Sequence, residues 1–233
     1  MSEVRGRQMV LDLPHRTALG REDFLVTPSN RAAVGVIDSY PDWPHHCVAI
    51  VGPAGAGKTH LLEVWRQMSG APLVVAAEVV EAAVPRLMAK GALAIDEAPG
   101  PALNERGLFH LLNHARQTSG HVLIASGIPP AAWPVHIPDL ASRLKAVPVA
   151  AIGTPDDELL RGVLVKLFAD RQLAVDVPLI SYLLSRMPRS LDAAGRLVAA
   201  IDRRALEDRA EISRGLVSRV LEEFQAPGLF DPD

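Results

Sequence analysis

The stretch Gly52-Pro53-Ala54-Gly55-Ala56-Gly57-Lys58-Thr59 constrains this chain more than any other. It satisfies G-x-x-x-x-G-K-[ST] in full, a pattern that has meaning only where a strand delivers the loop and a helix leaves it. Both flanks are legible. Cys47–Val51 is a continuous apolar run directly before the loop, and Lys58–Met68 has helical apolar spacing directly after it. The glycines let the backbone curl so that successive N–H groups point inward at phosphate oxygens. The helix start adds the positive end of its dipole. In such a loop Gly52, Gly55, Ala56 and Gly57 form the cradle. Lys58 reaches the β- and γ-phosphates, the Thr59 hydroxyl holds Mg²⁺, and His60 follows in the first helical turn.

Further apolar runs follow at Leu73–Ala77, Ala92–Ile95, Val122–Ala125 and Val147–Ala151. They are continuous rather than alternating, as strands covered on both faces should be. Helical stretches lie between them: Glu78–Ala89, interrupted by Pro85, and Leu103–Thr118. A further helix, Ser29–Ser39 with Ser29 as its N-cap, precedes the first strand. This βαβα order predicts an α/β fold with a parallel sheet and right-handed crossovers. The run Ala92–Ile95 ends in Asp96-Glu97. A carboxylate at a strand's C-terminal end sits beside the phosphates, where Asp96 holds Mg²⁺ through its water shell and Glu97 polarises an attacking water. After residue 152 the strands stop. Thr154-Pro155-Asp156-Asp157 reads as an N-cap, a proline and first-turn acids, and helices are predicted at 155–171, 178–186, 190–207 and 213–224. The expected organisation is a tail (1–18), an α/β base (19–151), a helical lid (152–225) and a C-terminal tail (226–233).

Composition narrows the function. The 24 basic and 27 acidic residues leave a net charge of −3, and residues 155–225 hold 11 basic and 12 acidic side chains. Neither gives the basic footprint of a DNA-binding surface. The single cysteine, Cys47, excludes an internal disulfide and fits a reducing compartment. No apolar run approaches the roughly 20 residues needed to span a bilayer. The opening MSEVRGRQMVLDLP lacks the apolar core of a secretory signal, so a soluble cytoplasmic protein is expected. Twenty of the basic residues are arginines, so an arginine counts here only where its position singles it out. His45-His46-Cys47 has no second pair at metal-ligand spacing, and His110 and His114 lack the glutamate of H-E-x-x-H, Leu111 standing there instead. We read both as ordinary structure.

A loop of this kind, a strand ending in Asp-Glu, a further strand ending in Ser126 and then a helical bundle resemble the AAA+ family. Finer motifs resemble its DnaA branch, and within it the Hda-type regulators of the initiator DnaA. Arg21-Glu22-Asp23-Phe24-Leu25-Val26-Thr27-Pro28-Ser29-Asn30 is similar to the segment that opens the DnaA-type core, which implies that Leu25 and Val26 line the adenine pocket. Ile124–Pro130 resembles the strand carrying sensor 1, implying that role for Ser126; Gly127 and Ile128 stand where the branch has two polar residues. Asp139-Leu140-Ala141-Ser142-Arg143-Leu144 resembles the motif that carries the arginine finger, implying that Arg143 acts on a neighbour's nucleotide. Met187–Asp192 falls where the family places sensor 2, implying that Arg189 faces both nucleotide and chemistry. The DNA-reading C-terminal domain of an initiator is not expected here.

Gln8-Met9-Val10-Leu11-Asp12-Leu13 resembles the hexapeptide by which proteins dock on the bacterial sliding clamp, with Leu11 and Leu13 entering an apolar pocket and the Gln8 amide specifying the site. The cofactors implied are ADP or ATP with Mg²⁺. The partners implied are the sliding clamp (the beta subunit of DNA polymerase III), the DnaA initiator and a second copy in a homodimer, with no sequence-specific DNA contact and no membrane. The expected function is an Hda-type regulator that docks on the clamp and stimulates hydrolysis of DnaA-bound ATP. Two alternatives stay open: a DnaC-like helicase loader or remodelling ATPase, and a nucleotide-binding adaptor that stimulates nothing.

Overall fold

A computed structural model describes residues 25–225; the tails, including Gln8, Leu11 and Leu13, and the start of the 21–30 segment lie outside them. Five strands form one parallel sheet: β1 (Cys47–Val51), β2 (Leu73–Val75), β3 (Ala92–Ala98), β4 (His121–Ser126) and β5 (Val149–Ala151). Their spatial order is β2-β3-β4-β1-β5.

Alternation along each central strand sorts side chains into two cores. Cys47, Ala49, Leu93, Ile95, Val122 and Ile124 enter one. Val48, Ile50, Ala92, Ala94, Leu123 and Ala125 enter the other. This is why the strands read as unbroken apolar runs: both faces are covered. On the first face lie α3 (Val84–Leu87), α4 (Glu105–Thr118) and α5 (Pro138–Lys145). On the second lie α1 (Arg31–Asp38) and α2 (Lys58–Ser69), with Trp65 stacked on Trp43 at 5.4 Å. Four helices follow the sheet: α6 (Asp157–Asp170), α7 (Val177–Leu184), α8 (Leu191–Asp208) and α9 (Arg214–Gln225). They bury a third core of their own around Leu164, Phe168, Leu197, Ile201 and Val217.

Local chemistry moved several expected boundaries. Ser29 does not cap α1: Asn30 stands at the N-cap, and its buried side chain accepts from Thr27 N and donates to Leu25 O, both at 2.9 Å. Thr154 does not cap α6 either. Asp156 does, accepting from Leu159 N at 2.8 Å, which starts the helix later than the proline suggests. The helix expected over 78–89 breaks into two 3-10 turns and the single α-helical turn of α3, with Pro85 inside that turn. Strand β3 runs on through Asp96 and Glu97 to Ala98, with a register shift against β4 between Ile95 and Ala98.

Candidate functional site

The parallel order places the C-terminal ends of β1, β3 and β4 side by side, the edge where open α/β sheets bind ligands. The loop Gly52–Gly57 leaves β1 there and feeds α2, whose first residue is Lys58. Val51 pairs in register with Ser126, and Gly52 N donates to Ser126 O at 3.2 Å. Ala56, 1% exposed, pins the loop into the core beneath α2. Gly57 closes the loop with φ +101°, a conformation that only glycine adopts cheaply. Thr59 stands exposed in the first turn, next to a half-buried His60.

Lys58 lies back across its own loop, its Nζ donating to Gly52 O at 2.9 Å and Pro53 O at 2.8 Å. Burial lowers its pKa, and the nearby charge of Asp96 opposes that shift. Lys58 and Asp96 therefore belong to one electrostatic site. Asp96 Oδ1 accepts from Glu97 N at 2.8 Å, and Glu97 adopts φ +55°, a left-handed backbone that costs a β-strand residue strain. This is a bulge. It turns Glu97 outward into an exposed position immediately after the half-buried Asp96. The Asp96 carboxylate and the Thr59 hydroxyl are hard oxygen donors, the chemistry that Mg²⁺ takes.

Ser126 is 1% exposed and its hydroxyl is engaged locally. It donates to Ile128 O at 2.7 Å and accepts from Ile128 N at 3.2 Å, while Trp133 Nε1 donates to the same carbonyl at 3.2 Å. The residue next to the loop through its carbonyl thus uses its side chain to shape the turn at Gly127-Ile128.

The helical bundle closes on the loop. Leu191 N donates to Gly55 O at 2.8 Å, and a Cβ on Gly55 would lie 2.0 Å from Ser190 Oγ. Arg189, immediately before these contacts, pairs with Asp157 Oδ1 of α6 at 2.6 Å, both side chains well exposed. The 25–30 segment bridges sheet and bundle. Leu25 and Val26 are each 40% exposed, and Leu25 packs on α6, where a Cβ on Gly162 would meet its Cδ2 at 2.5 Å. Gly153 N donates to Ser29 O at 2.7 Å, and Ser29 N donates to Asp156 Oδ2 at 3.4 Å. Burial alone would raise the Asp156 pKa, but hydrogen bonds from Leu159 N, Thr27 and Ser29 outweigh it and hold the carboxyl below its ordinary value. Ser190, Leu191 and Asp156 are the residues the sequence reading missed. The serine directly after Arg189, at a helix start, was the available signal.

Arg143 lies on α5, whose Leu140 and Leu144 bury in the core shared with α4, across the sheet from α2. Its guanidinium carbon stands 5.1 Å over the Phe109 ring of α4. Elsewhere, Cys47 is buried and its thiol is pushed up to about 12, which leaves it inert as a nucleophile. His110 Nε2 lies 3.1 Å from Glu81 Oε1. Among the described residues no group of three or more His, Cys, Asp or Glu side chains could hold a metal, and no helix is long and apolar enough to cross a membrane.

No protein-family model matches the chain, and no curated protein matches it in sequence. Solved structures do. Domain III of the Thermotoga maritima replication initiation protein DnaA matches with a TM-score of 0.78 at 17% identity, over 92% of this chain and 100% of that one. The fold is that of the AAA+ ATPases. Two longer AAA+ chains match less extensively. AMPPCP-bound DnaA from Aquifex aeolicus has a TM-score of 0.64 at 19% identity, over 80% of this chain and 65% of its own. The Thermotoga maritima RuvB Holliday junction branch migration motor has 0.61 at 16%, over 77% and 61%. At these identities the likeness is one of fold.

Proposed function

We propose that this AAA+ chain is an Hda-type regulator of replication initiation, binding adenine nucleotide itself and supplying Arg143 to the ATP site of a DnaA initiator. One observation carries the reading. Arg143 sits in the layer opposite α2, over the Phe109 ring of α4, and this supports a role for its guanidinium on a neighbour's nucleotide rather than on phosphates at its own loop. Nucleotide binding is supported by the loop geometry, by the coupling of Lys58 to Asp96, and by the likeness to a DnaA solved with AMPPCP.

Lys58, which donates to the Gly52 and Pro53 carbonyls in the free chain, would hold the phosphates of ADP or ATP together with the N–H groups of the loop and of α2's first turn. Thr59 and Asp96 hold Mg²⁺, which would neutralise charge on the phosphates. Leu25 and Val26 line the base-binding end of the crevice. Arg189, paired with Asp157 in the free chain, would help hold the nucleotide from the bundle side, where Leu191 N bonds Gly55 O. Gln8, Leu11 and Leu13, outside the described residues, tether the protein to the sliding clamp.

A second reading, a self-contained remodelling ATPase, is favoured by Glu97, which the bulge leaves exposed beside Asp96 where a base could orient water. One experiment separates the two. ATP turnover is measured for the protein alone and then with clamp, DNA and ATP-loaded initiator. Turnover only in the mixture is expected. Fast turnover by the protein alone establishes the remodeller, and none in either leaves an adaptor.

A further inference from the structure

Helix α5 is poorly equipped to fix its own start. Its N-cap, Ile137, offers no side-chain acceptor, and Pro138 at the first position offers no N–H. Glu105, the first residue of α4, anchors the two residues that lead into it instead. One carboxylate oxygen accepts from His136 N at 2.8 Å and from Ile137 N at 2.9 Å, and the other contacts His136 Nδ1 at 2.8 Å. Three contacts on one side chain lock the chain just before α5 to α4. Four residues along, on the same face of α4, Phe109 carries the Arg143 guanidinium over its ring. Leu140 and Leu144, 0% and 1% exposed, join Leu108, Leu111 and Leu112 of α4 in one core.

We propose that the Glu105–Phe109 face of α4 is the positioning device for Arg143, an inference that rests on the reading of Arg143 above. An aromatic ring engages the flat face of a guanidinium and leaves its N–H edge for oxygen acceptors. Phe109 therefore aims Arg143 without competing with a phosphate for it. Ordering the head group in advance removes part of the entropy cost of aligning a long side chain with the reacting phosphate once the partner is docked. Glu105 fixes the register of the helix that carries it. Both are positioning residues, and neither touches the reacting atoms.

The test uses the full chain and four variants: Phe109→Leu, Phe109→Tyr, Arg143→Ala and, as an independent lesion at the other end of the cradle, Glu105→Gln. Two quantities are read: the ring-current shift of the Arg143 side-chain resonances by NMR, and stimulated ATP turnover of the loaded partner against concentration of this protein. Leucine keeps an apolar contact and removes the ring. The shift should vanish, and maximal stimulation should fall about twofold to fivefold, the worth of an exposed cation–π contact. The concentration for half-stimulation and the protein's own nucleotide affinity should not change. Tyrosine should restore both readouts, and Glu105→Gln should lower maximal stimulation with the ring intact. Full stimulation by Phe109→Leu, alongside loss in Arg143→Ala, overturns the positioning role and leaves the arginine-finger reading standing. Full stimulation by Arg143→Ala removes that reading, and this inference with it. An unchanged Arg143 shift in Phe109→Leu overturns the geometry directly.

Discussion

Gly55 is where the phosphate loop and the helical bundle meet, and Gly55→Ala measures how tightly. Two costs are separable. The φ of +69° is left-handed, and placing an L side chain there costs about 1–2 kcal/mol. The new Cβ would also stand 2.0 Å from Ser190 Oγ and 2.8 Å from Ser190 Cβ, an overlap of the kind that costs about 1–3 kcal/mol. The single variant should therefore lose about 2–5 kcal/mol of stability in urea unfolding. Ser190→Gly alone removes the N-cap contact to Ala193 N and should cost only about a few tenths of a kcal/mol, since glycine is a tolerated cap. In the double variant the overlap is gone and the backbone strain stays, so the loss should return to about 1–2.5 kcal/mol. The cycle predicts a favourable coupling of about 1–3 kcal/mol between two residues far apart in sequence. A double variant whose loss equals the sum of the singles would show that the bundle does not rest on the loop, and the argument would fail.

Three further outcomes follow from the geometry. Arg143→Ala should leave folding and the protein's own nucleotide affinity unchanged while abolishing stimulation of the loaded partner, and Arg143→Lys should not rescue it because a point charge lacks the planar fork; full stimulation by either variant refutes the role. Replacing Gln8, Leu11 and Leu13 together by alanine should abolish clamp capture in a pull-down without lowering the melting temperature; normal capture shows that the tail motif was misread. Burial first, and then His46 with its ring 6.3 Å away, hold the pKa of His121 below its ordinary value. The unfolded chain then takes up a proton there more readily, so stability should fall as pH drops below about 6.5, and His121→Gln should flatten that slope. An equal slope in the variant removes His121 as the cause.

The fold was legible because its central strands are apolar on both faces and its loop is a complete motif. β1 starts and stops where the apolar run does, between His46 and Gly52. Legibility failed where distant backbone decides local structure. The 78–89 stretch has helix-compatible residues, yet Gly107 of α4 comes so close to Val79 that a Cβ there would meet its carbonyl oxygen at 1.9 Å, and the segment settles into tight turns against α4. Ser29 and Thr154 are good caps by type, but Asn30 is fixed by Thr27 and Leu25, and Asp156 by Leu159 and Ser29. At the site, residue identity pointed to the carboxyl edge, since Lys58 begins the loop's helix, Ser126 ends β4 and Asp96 directly follows the apolar run Ala92–Ile95. Their conformations were not written in the sequence. The left-handed Glu97, the Ser126 hydroxyl turned to Ile128 and the return of Lys58 onto its own loop are backbone and rotamer choices that residue type leaves open, while the seat of Arg143 on Phe109 arises from a contact between α5 and α4.

Adenine-nucleotide binding at the Gly52–Thr59 and Asp96 crevice underlies every proposed role, and titration calorimetry of ADP with Mg²⁺ tests it most directly. Wild type should bind one nucleotide per chain. Lys58→Ala loses a charge-assisted phosphate contact worth about 1.5–3 kcal/mol, so its affinity should fall about tenfold to hundredfold with the fold intact. Among the described residues the Lys58 ammonium donates to the Gly52 and Pro53 carbonyls of its own loop, at 2.9 and 2.8 Å, so that loss cannot be charged to a collapsed core. Unchanged affinity in Lys58→Ala, or no binding by the wild type, would contradict the account.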